Sequence, residues 1–226
     1  MERKRGSVNF SEFPYLNNSI SKISEQPGLY SGVENLPSAL WEDLAGMDPE
    51  SVCCRAAVSF QPGQGYRVPF LGGEYMVNQE TRKITGLKKA HPVGFQAGLV
   101  MLCYLIHASE EGLSGRMITE KEIRGGFTFF QGPHALSKKD VIARYARDGA
   151  GLLARAKSWG ASPIEQGDAA FRILALPKIL VVYTLYEEDD EFPARLVISF
   201  DASIEKHLPL DAIFAMINAM SHRLVI

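Results

Sequence analysis

Apolar residues are most concentrated in the middle of the chain, where residues 99–106 form eight successive apolar positions. A helix that is apolar on every side is enclosed by the rest of the fold. Pro92 precedes this stretch, and the polar residues 109–111 and Gly112 follow it. We therefore expect a central, buried helix over residues 92–108.

Two shorter helices are predicted before it. Leu40, Trp41 and Leu44 recur at helical spacing, and Gly46 closes that segment. Residues 48–50, Asp-Pro-Glu, are typical of a helix start. Aspartate serves as the N-cap acceptor, and proline occupies a first-turn position where no backbone N–H is needed.

A β-meander should follow these helices. Residues 67–71 and 74–77 form two strand-like runs separated by Gly72-Gly73, a pair suited to a tight hairpin turn. Because Pro69 has no N–H to donate, we expect the first strand to lie at the edge of its sheet. A third short strand at 83–85 would complete the meander.

The chain after the central helix is irregular until Ser137, which with Asp140 forms an S-x-x-D variant of the capping box. This pattern predicts a helix from about residue 137 to Arg147. Leu152, Ala156 and Trp159 indicate a second helix, which Gly160 ends.

The last third of the chain predicts three antiparallel strands and a final helix. The strands cover residues 170–176, 179–186 and 195–200, and the middle one is apolar on both faces, which favours a central position. Asp201 is placed to cap a short helical turn. The final helix carries an apolar stripe, formed by Leu210, Ile213, Phe214, Ile217 and Met220.

These elements predict an α+β fold in which an antiparallel sheet and helices pack around the central buried helix. A single domain over residues 37–226 accounts for all of them. Residues 1–36 are polar and rich in turn-forming residues, so we expect them to form a flexible N-terminal arm.

Charge and cysteine content narrow the function classes. The 226 residues include 24 basic and 26 acidic residues, a balance that provides no basic field for nucleic acid. The three cysteines form no C-x-x-C pair, so they suit neither an iron–sulfur site nor a disulfide framework. No apolar stretch is long enough to cross a bilayer or to act as a signal peptide. The sequence thus predicts a soluble, cytoplasmic protein with no membrane or nucleic-acid partner, and it indicates no particular cofactor.

One candidate ligand site is the segment that begins at Arg124-Gly125-Gly126. Paired glycines let a ligand approach the backbone, and an adjacent arginine is suited to a carboxylate or phosphate. We include His134 beyond it and Arg195 from the C-terminal strands. The alternative is structural, because the aromatic residues of this segment are also typical of a core.

The second candidate is the acidic run at residues 187–191, for which a solvated turn with Arg195 as counter-ion is the simpler interpretation. A metal site would combine Glu191 and Asp201 with His207, or with His134 in its place. Glu191 precedes the last predicted strand and Asp201 follows it. At about 3.3 Å per residue, an intervening straight strand would hold these two carboxylates too far apart to share one ion.

No G-x-S-x-G or H-E-x-x-H motif occurs, so the sequence points to no catalytic residue. The order of several short motifs resembles domain-of-unknown-function family 3786, over roughly residues 40–222. The motifs lie at residues 113–116, 124–128, 160, 167–168, 176–177, 190–195, 199–201 and 207–209, and the Asp-Glu-Phe-Pro-Ala-Arg block at 190–195 is the most specific. The resemblance implies one cytoplasmic domain tied to the metabolism of anaerobic bacteria and archaea, and it implies no activity.

Taken together, these features favour a non-catalytic binding or accessory protein for an anionic metabolite, a cofactor or a metalloenzyme. A metal-dependent enzyme of unknown reaction is the alternative, and a purely structural or oligomeric role is a third.

Overall fold

The computed structural model describes residues 32–88 and 93–226, which contain seven α-helices and nine β-strands. The helices are α1 (Ser38–Ala45), α2 (Pro49–Ala56), α3 (Phe95–His107), α4 (Gly126–Phe129), α5 (Lys139–Tyr145), α6 (Gly149–Lys157) and α7 (Leu210–Val225). The strands are β1 (Ser59–Gln61), β2 (Gly65–Phe70), β3 (Gly73–Asn78), β4 (Lys83–Gly86), β5 (Met117–Thr119), β6 (Ser162–Ile164), β7 (Ala169–Leu176), β8 (Ile179–Tyr186) and β9 (Arg195–Asp201).

The helix α3 is the centre of the fold, as its apolar sequence predicts. Every side chain at positions 99–106 is at most 6% exposed, and nearly all buried apolar residues of the described chain form one continuous cluster around it. The α+β, single-domain prediction is therefore confirmed. Residues 1–31 lie outside the described part of the chain. Leu36 is already buried, and its side chain lies beside Gly98 of α3, so packing begins just before residue 37.

The predicted antiparallel strands form two sheets. The first is the expected meander, in the order β1-β2-β3-β4, and the second has the order β5-β9-β8-β7-β6. The predicted central position of β8 is confirmed. The short strands β1, β5 and β6 were not predicted, because three residues are too few to show a period-two pattern.

The turn between β2 and β3 differs from the prediction by one residue. Phe70 pairs with Gly73, so the two-residue loop is Leu71-Gly72. Both loop residues have positive φ, 48° and 71°, as a type I′ turn requires. The predicted edge position of Pro69 is wrong, because β2 lies between β1 and β3. Pro69 is tolerated there because β1 pairs only with the first three residues of β2.

The Leu71-Gly72 turn joins the two sheets. The Leu71 N–H donates to the Ala175 carbonyl at 3.0 Å, where the register between β7 and β8 shifts. The Leu71 carbonyl accepts from Arg223 Nη1 at 2.9 Å, and the Arg223 guanidinium lies 4.9 Å from the centre of the Trp159 ring. One turn therefore contacts the second sheet and the final helix.

Two of the three predicted side-chain caps are confirmed and one is wrong. Asp48 accepts from the Ser51 N–H at 2.8 Å, and Asp201 caps the 3-10 turn Ala202–Lys206, as expected. The capping box at Ser137 is wrong, because its hydroxyl donates to Asn218 Oδ1 of α7 at 2.5 Å. Helix α5 instead begins at Lys139 with no side-chain cap, and it ends at Tyr145 rather than Arg147. A tertiary contact has replaced the local one.

Among residues 32–88 and 93–226, no helix combines the length and apolar character that crossing a membrane requires.

The junction can be tested by adding a methyl group at Gly72. A Cβ there would overlap the Trp159 carbonyl oxygen, whereas a Cβ at Gly63 would meet nothing within 4 Å. Both glycines have φ near +70°, so Ala carries the same backbone cost at each. We expect Gly72→Ala to lower the free energy of unfolding by about 1–3 kcal/mol more than Gly63→Ala, measured by urea denaturation. Equal losses would show that the contact with Trp159 does not matter.

Candidate functional site

The two glycines of the first predicted ligand segment serve local chain geometry. Gly125 has φ +77° and precedes the short helix α4. A Cβ at Gly126 would overlap the backbone oxygen of Glu120. The close approach that each glycine permits is therefore to the chain itself. The backbone N–H of Arg124 donates to Glu205 Oε1 at 2.6 Å, which holds the segment against the 3-10 turn after β9.

His134, from the same segment, lies among aromatic rings. Its ring stacks on Phe129 with centroids 4.7 Å apart and meets the edge of Phe214 at 5.5 Å. Burial raises the pKa of the nearby Asp211 carboxyl, and the charge of His134 opposes that rise. Arg124, Gly125, Gly126 and His134 thus share one region, next to the start of α7.

Arg195 lies elsewhere. It opens β9, and its guanidinium is 4.4 Å from the centre of the Tyr186 ring. Asp201 ends the same strand, about 20 Å away at 3.3 Å per residue. Because Arg124 is held by the turn that follows Asp201, the structure does not bring Arg195 together with the other four proposed ligand residues.

The three proposed metal ligands are also not brought together. Glu191 lies before β9 and Asp201 at its far end. The Asp201 carboxylate accepts hydrogen bonds from Ser114 N, Ser114 Oγ, Gly115 N and Ser203 N. In residues 32–88 and 93–226, no three His, Cys, Asp or Glu side chains are arranged to hold one metal ion.

The acidic run at 187–191 forms an organised turn. Glu187 accepts from the Gly149 N–H at 2.5 Å, and Glu188 pairs with Arg147 at 2.6 Å. Asp189 accepts from the N–H groups of Glu191 and Phe192, which lowers the pKa of Asp189. These contacts attach the acidic turn to the α5–α6 connection and agree with its structural interpretation.

Asp201 and His207 instead hold the loop that leaves α3, residues 109–116, which we call the anchored loop. Ser114 and Gly115 bind Asp201, as described above. At the other end, the Ser109 N–H donates to His207 Nδ1 at 3.2 Å, and Lys178 Nζ donates to the Ser109 carbonyl at 2.8 Å. Burial works to raise the pKa of Asp201, but the hydrogen bonds from Ser114 and Ser203 outweigh it and hold the pKa well below its usual range.

His207 is fully buried and must stay neutral to accept from Ser109. Burial and then the charge of Lys178 lower its pKa to about 4, against the opposing charges of Glu111 and Asp201. His207 Nε2 finds no hydrogen-bond partner among the described residues. Both ends of the anchored loop therefore depend on buried side chains that keep a defined charge state.

A cleft of about 540 Å³ opens beside the anchored loop, where the Leu71-Gly72 turn meets the second sheet. One side is the β2–β3 hairpin, and the other is β7, β8 and the end of α6. The lining residues are Pro69, Phe70, Gly72, Gly73, Glu74, Lys88, Leu113, Trp159, Gly160, Ser162, Arg172, Ile173, Leu174 and Leu180. This volume falls within the usual range for small-ligand sites.

The cleft lining combines exposed apolar side chains with exposed cations. Leu113 and Leu174 are 46% and 51% exposed. Lys88 and Arg172 are exposed cations, and neither is ion-paired with a described residue. Glu74, by contrast, pairs with Arg67 at 2.8 Å. The cleft thus presents apolar surface and two uncompensated positive charges.

Sequence reasoning missed this cleft. Arg172 and Leu174 are the only exposed positions of β7 and lie on the same face. The sequence signal for the cleft was Arg172, a cation within the apolar run of β7. This signal does not show which other segments of the chain lie opposite Arg172.

Replacing Asp201 should release the anchored loop. We expect Asp201→Ala to lower the free energy of unfolding by about 2–4 kcal/mol, because it removes a charged acceptor from four donors. Asp190→Ala, at an exposed aspartate, should change it by less than about 0.5 kcal/mol. Urea denaturation of both variants makes the comparison, and similar losses would refute the anchoring role of Asp201.

His207 should make the fold sensitive to acid. The unfolded state takes up a proton below pH 6.5, but the folded state does so only below about pH 4. Stability is therefore unaffected above pH 6.5 and falls between 6.5 and 4, with a limiting slope of about 1.4 kcal/mol per pH unit from this residue. Burial also lowers the pKa of His107 to about 4, so His107 adds a similar slope.

The variant His207→Asn offers the Ser109 N–H an amide oxygen that does not titrate. Denaturation measured at several pH values should show a shallower slope for this variant between pH 6.5 and 4. His222→Asn is the matched control at a more exposed histidine. An unchanged slope in His207→Asn would contradict the prediction.

Comparison with known proteins gives a family and no characterised relative. No curated protein and no solved structure matches the chain. A family model described as a domain of unknown function, DUF3786, matches residues 48–223. That match runs from α2 to the last turn of α7 and includes the cleft and the anchored loop. The chain therefore belongs to the DUF3786 family.

Proposed function

We propose that this protein is a cytoplasmic, non-catalytic binding protein whose ligand is a small anionic molecule held in the cleft between the two sheets. The observation that carries the proposal is that Lys88 and Arg172, which form no ion pair with any described residue, line a cleft of ligand size. This moves the proposed anion site away from Arg124 and Arg195, which lie in separate regions.

The charges of the cleft support an anion. Among the described lining residues, Glu74 is the one acidic side chain, and Arg67 neutralises it. Lys88 and Arg172 therefore give the described lining a net positive charge. An arginine also offers a carboxylate or phosphate two parallel hydrogen bonds, which a lysine does not. Arg172 is thus the better candidate for the direct contact, with Lys88 adding charge.

The rigidity of the cleft walls also supports binding. Gly72 lies in the turn whose Leu71 carbonyl accepts a hydrogen bond from Arg223. The guanidinium of the same Arg223 lies over the Trp159 ring. Arg172 sits on a strand that is paired on both sides. A site built on regular elements loses little conformational entropy when its ligand binds.

The three cysteines are free in the structure, which agrees with a reducing compartment. The narrower expectations from the family resemblance, a metalloenzyme partner and a place in anaerobic metabolism, stay predictions. We do not extend the metal-dependent alternative, because Glu191, Asp201 and His207 are not arranged around a common point.

The proposal can be tested by a thermal-shift screen with inorganic phosphate, nucleotides, flavins, corrinoids and organic carboxylates. A ligand at 100 times its Kd should add roughly 2.7 kcal/mol of stability. For any anion that binds, Arg172→Gln should raise the Kd by about tenfold, because a charge-assisted hydrogen bond is lost.

Lys83→Gln is the matched control, since it removes one exposed positive charge from β4, outside the cleft lining. It should leave the Kd nearly unchanged. If Arg172→Gln binds as tightly as the unmodified protein, or if none of the anions binds, the cleft is not the anion site.

A further inference from the structure

The composition of the cleft lining narrows the class of ligand. This step rests on the proposed function, because it concerns the same cleft. Six of the lining residues outside the buried face of β7 carry apolar or aromatic side chains: Pro69, Phe70, Leu113, Trp159, Leu174 and Leu180. A ligand that fills the cleft would bury the exposed parts of Leu113 and Leu174, at about 25 cal/mol for each Å² of apolar surface removed from water.

Uncharged hydrogen-bonding side chains are scarce in the same lining. Ser162 contributes a hydroxyl and Trp159 an indole N–H, but no Asn, Gln, Thr, Tyr or His of residues 32–88 and 93–226 lines the cleft. A sugar or a nucleobase carries several polar groups, and each one buried without a partner costs about 1–3 kcal/mol. The lining therefore disfavours nucleotides and sugar phosphates.

The relative positions of the charged and apolar groups fit an elongated amphipathic molecule. Arg172 and Leu174 lie on the same exposed face of β7, two residues and so about 7 Å apart. Leu180 on β8 is the cross-strand partner of Leu174. A head group bound at Arg172 thus places an attached chain along Leu174 and Leu180, with Leu113 of the anchored loop facing the same space.

We infer that the cleft binds an aliphatic monocarboxylate, with its carboxylate at Arg172 and Lys88 and its alkyl chain against Leu174, Leu180 and Leu113. The carboxylate accounts for the two cations that have no ion-pair partner among the described residues. The chain would cover two exposed leucines of the lining, Leu113 and Leu174. Neither feature is explained by phosphate alone or by an uncharged apolar ligand alone.

Isothermal titration with butanoate, hexanoate, octanoate and 1-octanol tests the inference. Full burial of one methylene is worth about 0.8 kcal/mol, or nearly a fourfold change in Kd, so a partly open cleft should give about a two- to fourfold decrease per methylene. Octanoate should bind more tightly than octanol. Inorganic phosphate should bind weakly, which distinguishes a simple anion site from an amphipathic one.

Two variants distinguish the contribution of the ligand's carboxylate from that of its alkyl chain. Arg172→Gln should raise the Kd of all three carboxylates by the same factor and leave the dependence on chain length unchanged. Leu174→Ser should weaken octanoate more than butanoate. Phe192→Ser removes an exposed apolar side chain, 66% exposed, that is not among the lining residues, and it should change neither quantity.

Each other outcome has a defined meaning. Equal affinity for the three carboxylates, or an unchanged chain-length dependence in Leu174→Ser, would overturn the amphipathic ligand while leaving anion binding intact. Binding of phosphate or nucleotides but no alkanoate would do the same. Failure of every anion to bind would overturn the proposed function itself.

Discussion

The position of the Leu71-Gly72 turn determines how the two sheets lie relative to each other. Leu71 donates to Ala175 and accepts from Arg223, so its peptide groups bind the second sheet and the last helix together. Apolar packing alone tolerates sliding, whereas these hydrogen bonds require a defined position. Since the cleft is the space between this turn and β7, its shape depends on the same contacts.

The central helix imposes a second constraint, because a fully enclosed helix must connect to the surface through the anchored loop. Three of the motifs on which the family resemblance rests, at 113–116, 199–201 and 207–209, meet there. Asp201 binds Ser114 and Gly115, and His207 binds Ser109. These motifs therefore have a structural explanation, and their Asp and His are acceptors for backbone donors rather than metal ligands in the described structure.

Elements marked by a long run of apolar residues could be predicted from the sequence, whereas features that depend on tertiary contacts could not. The apolar run at 99–106 predicted a buried helix, and the two-faced apolar strand β8 predicted a central position. The β2–β3 turn lies one residue from its predicted position, because no local feature of the sequence shows that Leu71 adopts a positive φ. The capping box at Ser137 was wrong because the Ser137 hydroxyl donates to Asn218, a distant residue in the sequence. The cleft was missed because its lining comes from six distant segments, and neither Lys88 nor Leu113 has a distinctive neighbourhood in the sequence.

The cleft lining is physically separable from the contacts that maintain the fold. Arg172 and Leu174 project from the exposed face of β7, while Phe171 and Ile173 on its other face are buried in the core. Exposed side chains of this kind contribute little to folding stability. A substitution at Leu174 or Arg172 therefore changes the chemistry of the cleft without moving its walls, whereas one at Gly72 or Asp201 moves the walls themselves. Loss of binding in the first pair with unchanged stability would thus report on ligand contact rather than on unfolding.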